Sequence, residues 1–255
     1  MATSYRQFCP VAKAMELLDE RWTLLVVREL LLGSRHFNDL RRGVPRMSPT
    51  LLSKRLQTLT RAGVVDRREV GHEVHYSLTP AGQELRPIVE ALGAWGTRWM
   101  PELGDEDLDP KLLLWDMHRR VDRSAVPAHR SVVRFVFPDV AGPSRYWWLV
   151  IGVSEDEVDV CDTDPGHEVT ATVTSSLRAL VDVWRGERSW ADATRAGALT
   201  VDAPAGIRRS LPTWFRLSHF AEVPRPRARP LQQEGQDETS LVVSRAHASA
   251  PNTTT

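Results

Sequence analysis

The chain has 255 residues, 42% of them hydrophobic and 26% charged, which is too long for one small domain and suits two well-cored soluble domains. Its 33 basic and 33 acidic side chains cancel, but residues 1–100 hold 15 basic and 10 acidic residues (net +5), and residues 101–220 hold 14 and 19 (net −5). An anionic partner is therefore expected for the first segment and not the second. Two cysteines, Cys9 and Cys161, exclude a disulfide scaffold and a four-cysteine zinc site, and every apolar run is broken by charge before it could cross a bilayer. A cytoplasmic protein without a membrane partner is the expectation.

In chain order, Cys9-Pro10 opens a helix with Val11, Ala14, Met15 and Leu18 on one face. Asp19 is the expected N-cap of a second helix, Glu20 to about Leu32, stopped by Gly33. A short helix from about Phe37 to Arg42 follows. Ser48 then caps a long helix with Pro49 at its first position, where the missing N–H costs nothing. Leu52, Leu56 and Leu59 point inward and Gly63 ends it. Val64–Val70 and Glu73–Leu78 alternate as two strands about a Gly71-His72 turn. Thr79-Pro80 opens a last helix with Leu85, Ile88, Val89, Leu92, Trp95 and Trp99 in one wide apolar stripe.

That order is a winged helix-turn-helix, whose second helix reads the major groove while the hairpin reaches adjacent groove or backbone. The candidate DNA-binding residues are Arg41, Arg42 and Arg46 before the reading helix, Ser48, Thr50, Ser53, Lys54 and Gln57 on it, and Arg67, Arg68 and His72 on the wing. Free N–H groups at a helix start suit phosphate, and hydroxyl, amide and ammonium donors suit phosphates and base edges. The competing reading makes these arginines the solvated face of a bundle.

The segment resembles the HxlR-type winged-helix transcriptional regulators over residues 8–100. The resemblance rests on Cys9-Pro10, Trp22 followed by Arg28-Glu29-Leu30, GSRHFNDL, SPTLLSKRLQTLTRAGVVDR, and Tyr76 to Gly82. It implies a homodimer on an imperfect palindrome of double-stranded DNA, paired through terminal helices. The Leu85–Trp99 stripe agrees with that pairing, although it could instead pack on the chain's own second domain. The resemblance also raises oxidant or electrophile sensing at Cys9, since a thiol at a helix N-terminus is activated. The alternative is a buried, inert thiol.

Residues 101–109 (ELGDEDLD) read as a linker, and Asp109-Pro110 caps a helix to about Val121. Strands are expected at Val132–Phe137, Arg145–Val153, Glu157–Cys161, Val169–Val173 and Leu199–Val201. Helices are expected after Ser175-Ser176, over about Ser189–Ala196, and from Pro204 toward Phe220. This mixed α+β pattern resembles the sterol-carrier-protein-2-like (SCP2-like) fold over about residues 110–223, carried by RYWWLVIG, the stretch from EVDVC to GALTV, and RRSLPTWFRLSHF. The overall fold class is thus α+β in two domains.

The resemblance implies a cavity for a small apolar ligand, with Trp147, Trp148, Val181, Trp184, Leu199, Trp214 and Phe215 as candidate lining. A filled core is the alternative, because large aromatics close a cavity as readily as they line one. Asp162, Asp164, His167 and Glu168 have ordinary turn composition and no metal-loop spacing. No cofactor or metal motif occurs, and no nucleophile stands with an oriented base, so an enzyme is not expected. From about Pro224 the composition suggests disorder.

The primary reading is a DNA-binding regulator, by family tendency a repressor, controlled by an apolar ligand in the second domain. The alternatives are a regulator whose second domain only braces a dimer, a thiol sensor through Cys9, and least of all a lipid carrier or enzyme.

Overall fold

In the computed structural model, which describes residues 4–100, 102–154 and 158–225, apolar spacing becomes helix faces much as the periodicity predicts. The N-terminal helices are α1 (Pro10–Leu18), α2 (Thr23–Leu31), α3 (Phe37–Gly43) and α4 (Pro49–Arg61). A hairpin of β1 (Val65–Val70) and β2 (Glu73–Leu78) follows, turning at Gly71 with φ +63°. Next come α5 (Pro80–Gln83) and α6 (Arg86–Trp99). Val26, Val27, Leu40, Leu52, Leu56, Leu59 and Val65 form the first core. Each buried leucine contributes about 2 kcal/mol of transfer free energy, which fixes α4 against α2.

Two boundaries in the first hundred residues differ from the expectation. Asp19 does not cap α2. Residues 19–22 form a turn that ends at Trp22, a left-handed residue at φ +80°, and α2 starts three residues later than predicted. The single helix expected after Thr79 is broken into α5 and α6. Pro87 has no N–H to donate to the carbonyl of Gln83, so the helix cannot run through.

The second half starts with α7 (Pro110–His118), capped by Asp109, whose Oδ1 accepts from Lys111 N at 2.9 Å. Its sheet comprises β3 (Ser131–Val136), β4 (Tyr146–Ile151), β5 (Val158–Cys161), β6 (Ala171–Ser175) and β7 (Leu199–Asp202). The strand order is β5-β4-β3-β6-β7, with β3 and β6 parallel and every other pair antiparallel. The connecting helices are α8 (Leu177–Trp184) and α9 (Trp190–Arg195), and α10 (Ala205–Ser210) follows β7. A 3-10 turn ends at Trp214. From Phe215 the chain is extended and bridges Val121, so the helical segment expected to run toward Phe220 stops short.

Phe135, Phe137, Trp147, Leu149, Ile151, Val173, Leu180 and Trp214 form the second core. The chain therefore carries an N-terminal winged helix-turn-helix domain and a mixed α/β C-terminal domain. The tail expected to be disordered lies, from residue 226, outside the described residues. No helix among the described residues is long and apolar enough to cross a membrane.

Candidate nucleic-acid interface

The reading helix α4 is built from its cap outward. Ser48 Oγ accepts from Leu51 N at 3.3 Å, and Pro49 occupies the first turn. Leu52, Leu56 and Leu59 anchor one side, which leaves Thr50, Ser53, Lys54 and Gln57 exposed on the other. Arg55, which sequence reasoning passed over, turns inward. It donates to the Arg21 carbonyl at 3.2 Å and pairs with Glu20, so it orients the helix and does not face outward.

Beside α4, the wing closes a groove of about 370 Å³ lined by Ser53, Gln57, Arg61, Arg67 and Tyr76 among others. Arg61 and Tyr76 were absent from the sequence candidates. The helical position of Arg61, four residues after Gln57, was the signal that could have found it. Arg67 pairs with Glu69 at 3.0 Å and Arg68 with Asp66 at 2.7 Å. Hydrogen bonds to Glu69, and then to Tyr76, hold the Arg67 guanidinium above its usual range. His72 is exposed at the hairpin turn and Arg41 on α3.

Arg42 and Arg46 are placed differently. Arg42 lies over the Trp115 ring, 5.1 Å from its centroid, and 3.7 Å from Asp159. Arg46 donates to the carbonyl of Glu106 in the inter-domain segment. Both therefore reach toward the second half of the chain.

A further cluster joins the wing to α3. The rings of His36 and His75 meet edge to face at 4.5 Å, with Glu73 Oε2 3.4 Å from His75 and 3.9 Å from His36. Their ligand atoms lie within 4.8 Å of one another, a two-histidine, one-carboxylate donor set.

Behind the reading face, Glu29 is wholly buried. It pairs with Arg28 at 2.8 Å and with Arg119, the C-cap of α7, at 2.5 Å, and accepts from Trp115 Nε1 at 3.4 Å. The ion pairs compensate the burial of its charge. Asp116, next along α7, is pushed up to about 6, first by burial and then by Glu29, against the pull of Arg28 and Arg119. His118, stacked on Trp115, is pushed down to about 4 by burial and Arg119.

Cys9 sits at the N-terminal cap of α1, half-buried, and both cysteines are free thiols. Burial, then Asp159, raises Cys161. Asp164 accepts from Gly166 N at 2.8 Å, an ordinary turn contact. The stripe on α6 divides. Leu85 and Val89 pack on the first core, while Ile88, Leu92, Trp95 and Trp99 are exposed.

The seven residues expected to line a ligand tunnel do not gather around one opening. Trp147, Leu199, Trp214 and Phe215 belong to the packed core, and Trp148 is buried on the sheet. Val181 is half-buried against that core, whereas Trp184 borders a separate cavity toward the winged helix.

A reading helix with an exposed polar face, flanked by an arginine-bearing hairpin, defines the class of winged DNA-binding domains. The family model for an HxlR-like helix-turn-helix matches residues 17–103. The transcriptional regulator YvaP of Bacillus subtilis is 38% identical over 98 residues, spanning 37% of this chain and 91% of that one. The regulator YtfH of Escherichia coli is 32% identical over 102 residues, spanning 39% and 81%. A structure of the redox regulator HypR in its oxidized form is 30% identical over 35% of this chain and 95% of its own, with a TM-score of 0.34. The chain belongs to the HxlR-like helix-turn-helix family, and it is a DNA-binding transcriptional regulator.

Proposed function

We propose that this protein is a sequence-specific, homodimeric repressor that grips double-stranded DNA with α4 and the β1–β2 wing and is controlled through its C-terminal domain. The observation that carries this reading is the groove between α4 and the wing, with Ser53, Gln57, Arg61 and Arg67 on its walls. Ser48, Thr50, Ser53, Lys54 and Gln57 supply the helix contacts. Arg41, Arg67, Arg68 and His72 supply phosphate contacts. On this reading Arg67 and Arg68 exchange Glu69 and Asp66 for phosphate oxygens, which makes affinity depend strongly on salt. Arg42 and Arg46 hold the second domain instead of DNA.

The exposed Ile88, Leu92, Trp95 and Trp99 face of α6 supports pairing with a second copy. For the C-terminal domain we adopt an SCP2-like fold, supported by its mixed five-stranded sheet and following helices. Its aromatic core is filled around Trp147 and Trp214, which moves any ligand away from the sheet interior. A second reading, thiol-based control, is favoured by the place of Cys9 at the N-terminus of α1.

Selection of genomic fragments by the purified protein tests the main reading. A short palindrome whose affinity falls steeply with salt is the expected result. A folded dimer that enriches no sequence would overturn it.

A further inference from the structure

A cavity of about 680 Å³ opens between the two domains, within the size range of small-molecule sites. Its walls come from α2, α6, α7, the end of α8 and the final segment Ser218–Val223. Leu32, Val89, Ala94, Trp184 and Phe220 make much of it apolar, and Arg28, Arg86, Arg119 and Arg120, with Glu90 and Asp116, make the rest charged. Both domains thus contribute to one site of mixed character.

The charge does not cancel. Arg28 and Arg119 share Glu29, and Arg86 stands 3.9 Å from Glu90. Asp116 lies 3.5 Å from Arg119, whose buried Nη1 makes no hydrogen bond among the described residues. Arg120 donates to the Leu217 carbonyl at 2.9 Å and touches the His219 ring at 3.2 Å, and among the described residues it pairs with no carboxylate. Burial and Arg120 push His219 down, so it adds no charge near neutrality. Four guanidinium groups therefore meet three carboxylates, a surplus of one positive charge in a largely apolar chamber.

We propose that this cavity binds an organic carboxylate monoanion with an aromatic or alicyclic body, its carboxylate on the guanidinium groups of Arg120 and Arg86 and its ring between Trp184, Val89 and Phe220. One charge matches the surplus. A multiply charged nucleotide would exceed it, and a neutral lipid would leave the Arg120 donors without an anion. Such a ligand touches α6 of the winged helix and Arg120, Trp184 and Phe220 of the second domain at once, so it favours one arrangement of the two over others.

The test is calorimetric titration of the full chain, without DNA, with 2-naphthoate, 2-naphthamide and 2-naphthylmethylamine as probes. Working without DNA separates failure of this site from failure of the DNA-binding reading. The expected result is one naphthoate per chain, with the amide and the amine each at least tenfold weaker. Arg120→Gln should weaken naphthoate at least tenfold and leave the amide unchanged. Arg86→Gln, at an exposed position, should act in the same direction should the first variant fold poorly. Ala94→Trp should fill the chamber and remove binding of all three while the thermal transition persists. Equal affinity for acid and amide, binding insensitive to Ala94→Trp, or no heat from any probe at millimolar concentration would each overturn the proposal.

Discussion

Phe220 packs against Gly93, so close that a Cβ on that glycine would stand 2.2 Å from Cζ of the ring. The contact ties the last described segment of the C-terminal domain to α6 of the winged helix. Gly93→Ala should destabilise the fold by about 1–3 kcal/mol, the usual cost of overpacking. Phe220→Ala should relieve that clash, so the double variant should lose less than the sum of the two singles. Urea denaturation of the four proteins checks it, and strict additivity would show that the contact does not form.

Glu29→Gln should cost about 3–5 kcal/mol, because it leaves the Arg28 and Arg119 guanidinium groups without their buried counter-charge. The same denaturation series measures it. A change under 1 kcal/mol, the range of exposed pairs, would show that water reaches the cluster.

Arg42, before α4, makes a different prediction from Lys54 on the reading helix. Lys54→Ala should weaken DNA binding and lower the salt slope by about one. Arg42→Ala should leave both unchanged, since its guanidinium sits on Trp115 and near Asp159. Binding measured across a salt series separates the two. Equal losses would return Arg42 to the DNA face.

Asp116 and His118 set opposing pH dependences. Asp116 is raised from 3.8 to about 6, so the stability tied to its protonated form is complete below about pH 4 and lost as pH rises through 6. His118 is lowered from 6.5 to about 4, so the stability tied to its neutral form is present above 6.5 and lost as pH falls toward 4. Relative to the parent, Asp116→Asn should steepen the loss of stability on acidification in that window. His118→Gln should flatten it. Urea midpoints across the window decide. Parallel profiles for all three proteins would refute both assignments.

Trp95→Asp should convert a dimer to a folded monomer, because this side chain is half exposed and belongs to neither core. Sedimentation checks the mass and circular dichroism the fold. A dimer that survives would place the pairing surface elsewhere.

Local signals in the chain determined the elements and the class. The Ser48-Pro49 cap, the Leu52–Leu56–Leu59 spacing and the Gly71-His72 turn are short-range signals, and each is found where the sequence places it. Capping, periodicity and turn chemistry act over a few residues, so a sequence displays them directly. The exposed polar side of α4 followed from the same periodicity.

Tertiary structure decided what depends on contacts between distant residues. Arg42 and Arg55 look like their basic neighbours in the sequence, yet one is drawn to Trp115 and the other to Glu20. Glu29 meets Arg119 across 90 residues of chain, and Phe220, which lines the cavity, packs against Gly93 across a longer span. An arginine's partner is set by which carboxylate, ring or carbonyl packing brings within a few ångströms. Periodicity can say that such a residue is polar and where on its helix it stands, but the packing of the two domains decides whether a neighbour holds it or it stays exposed.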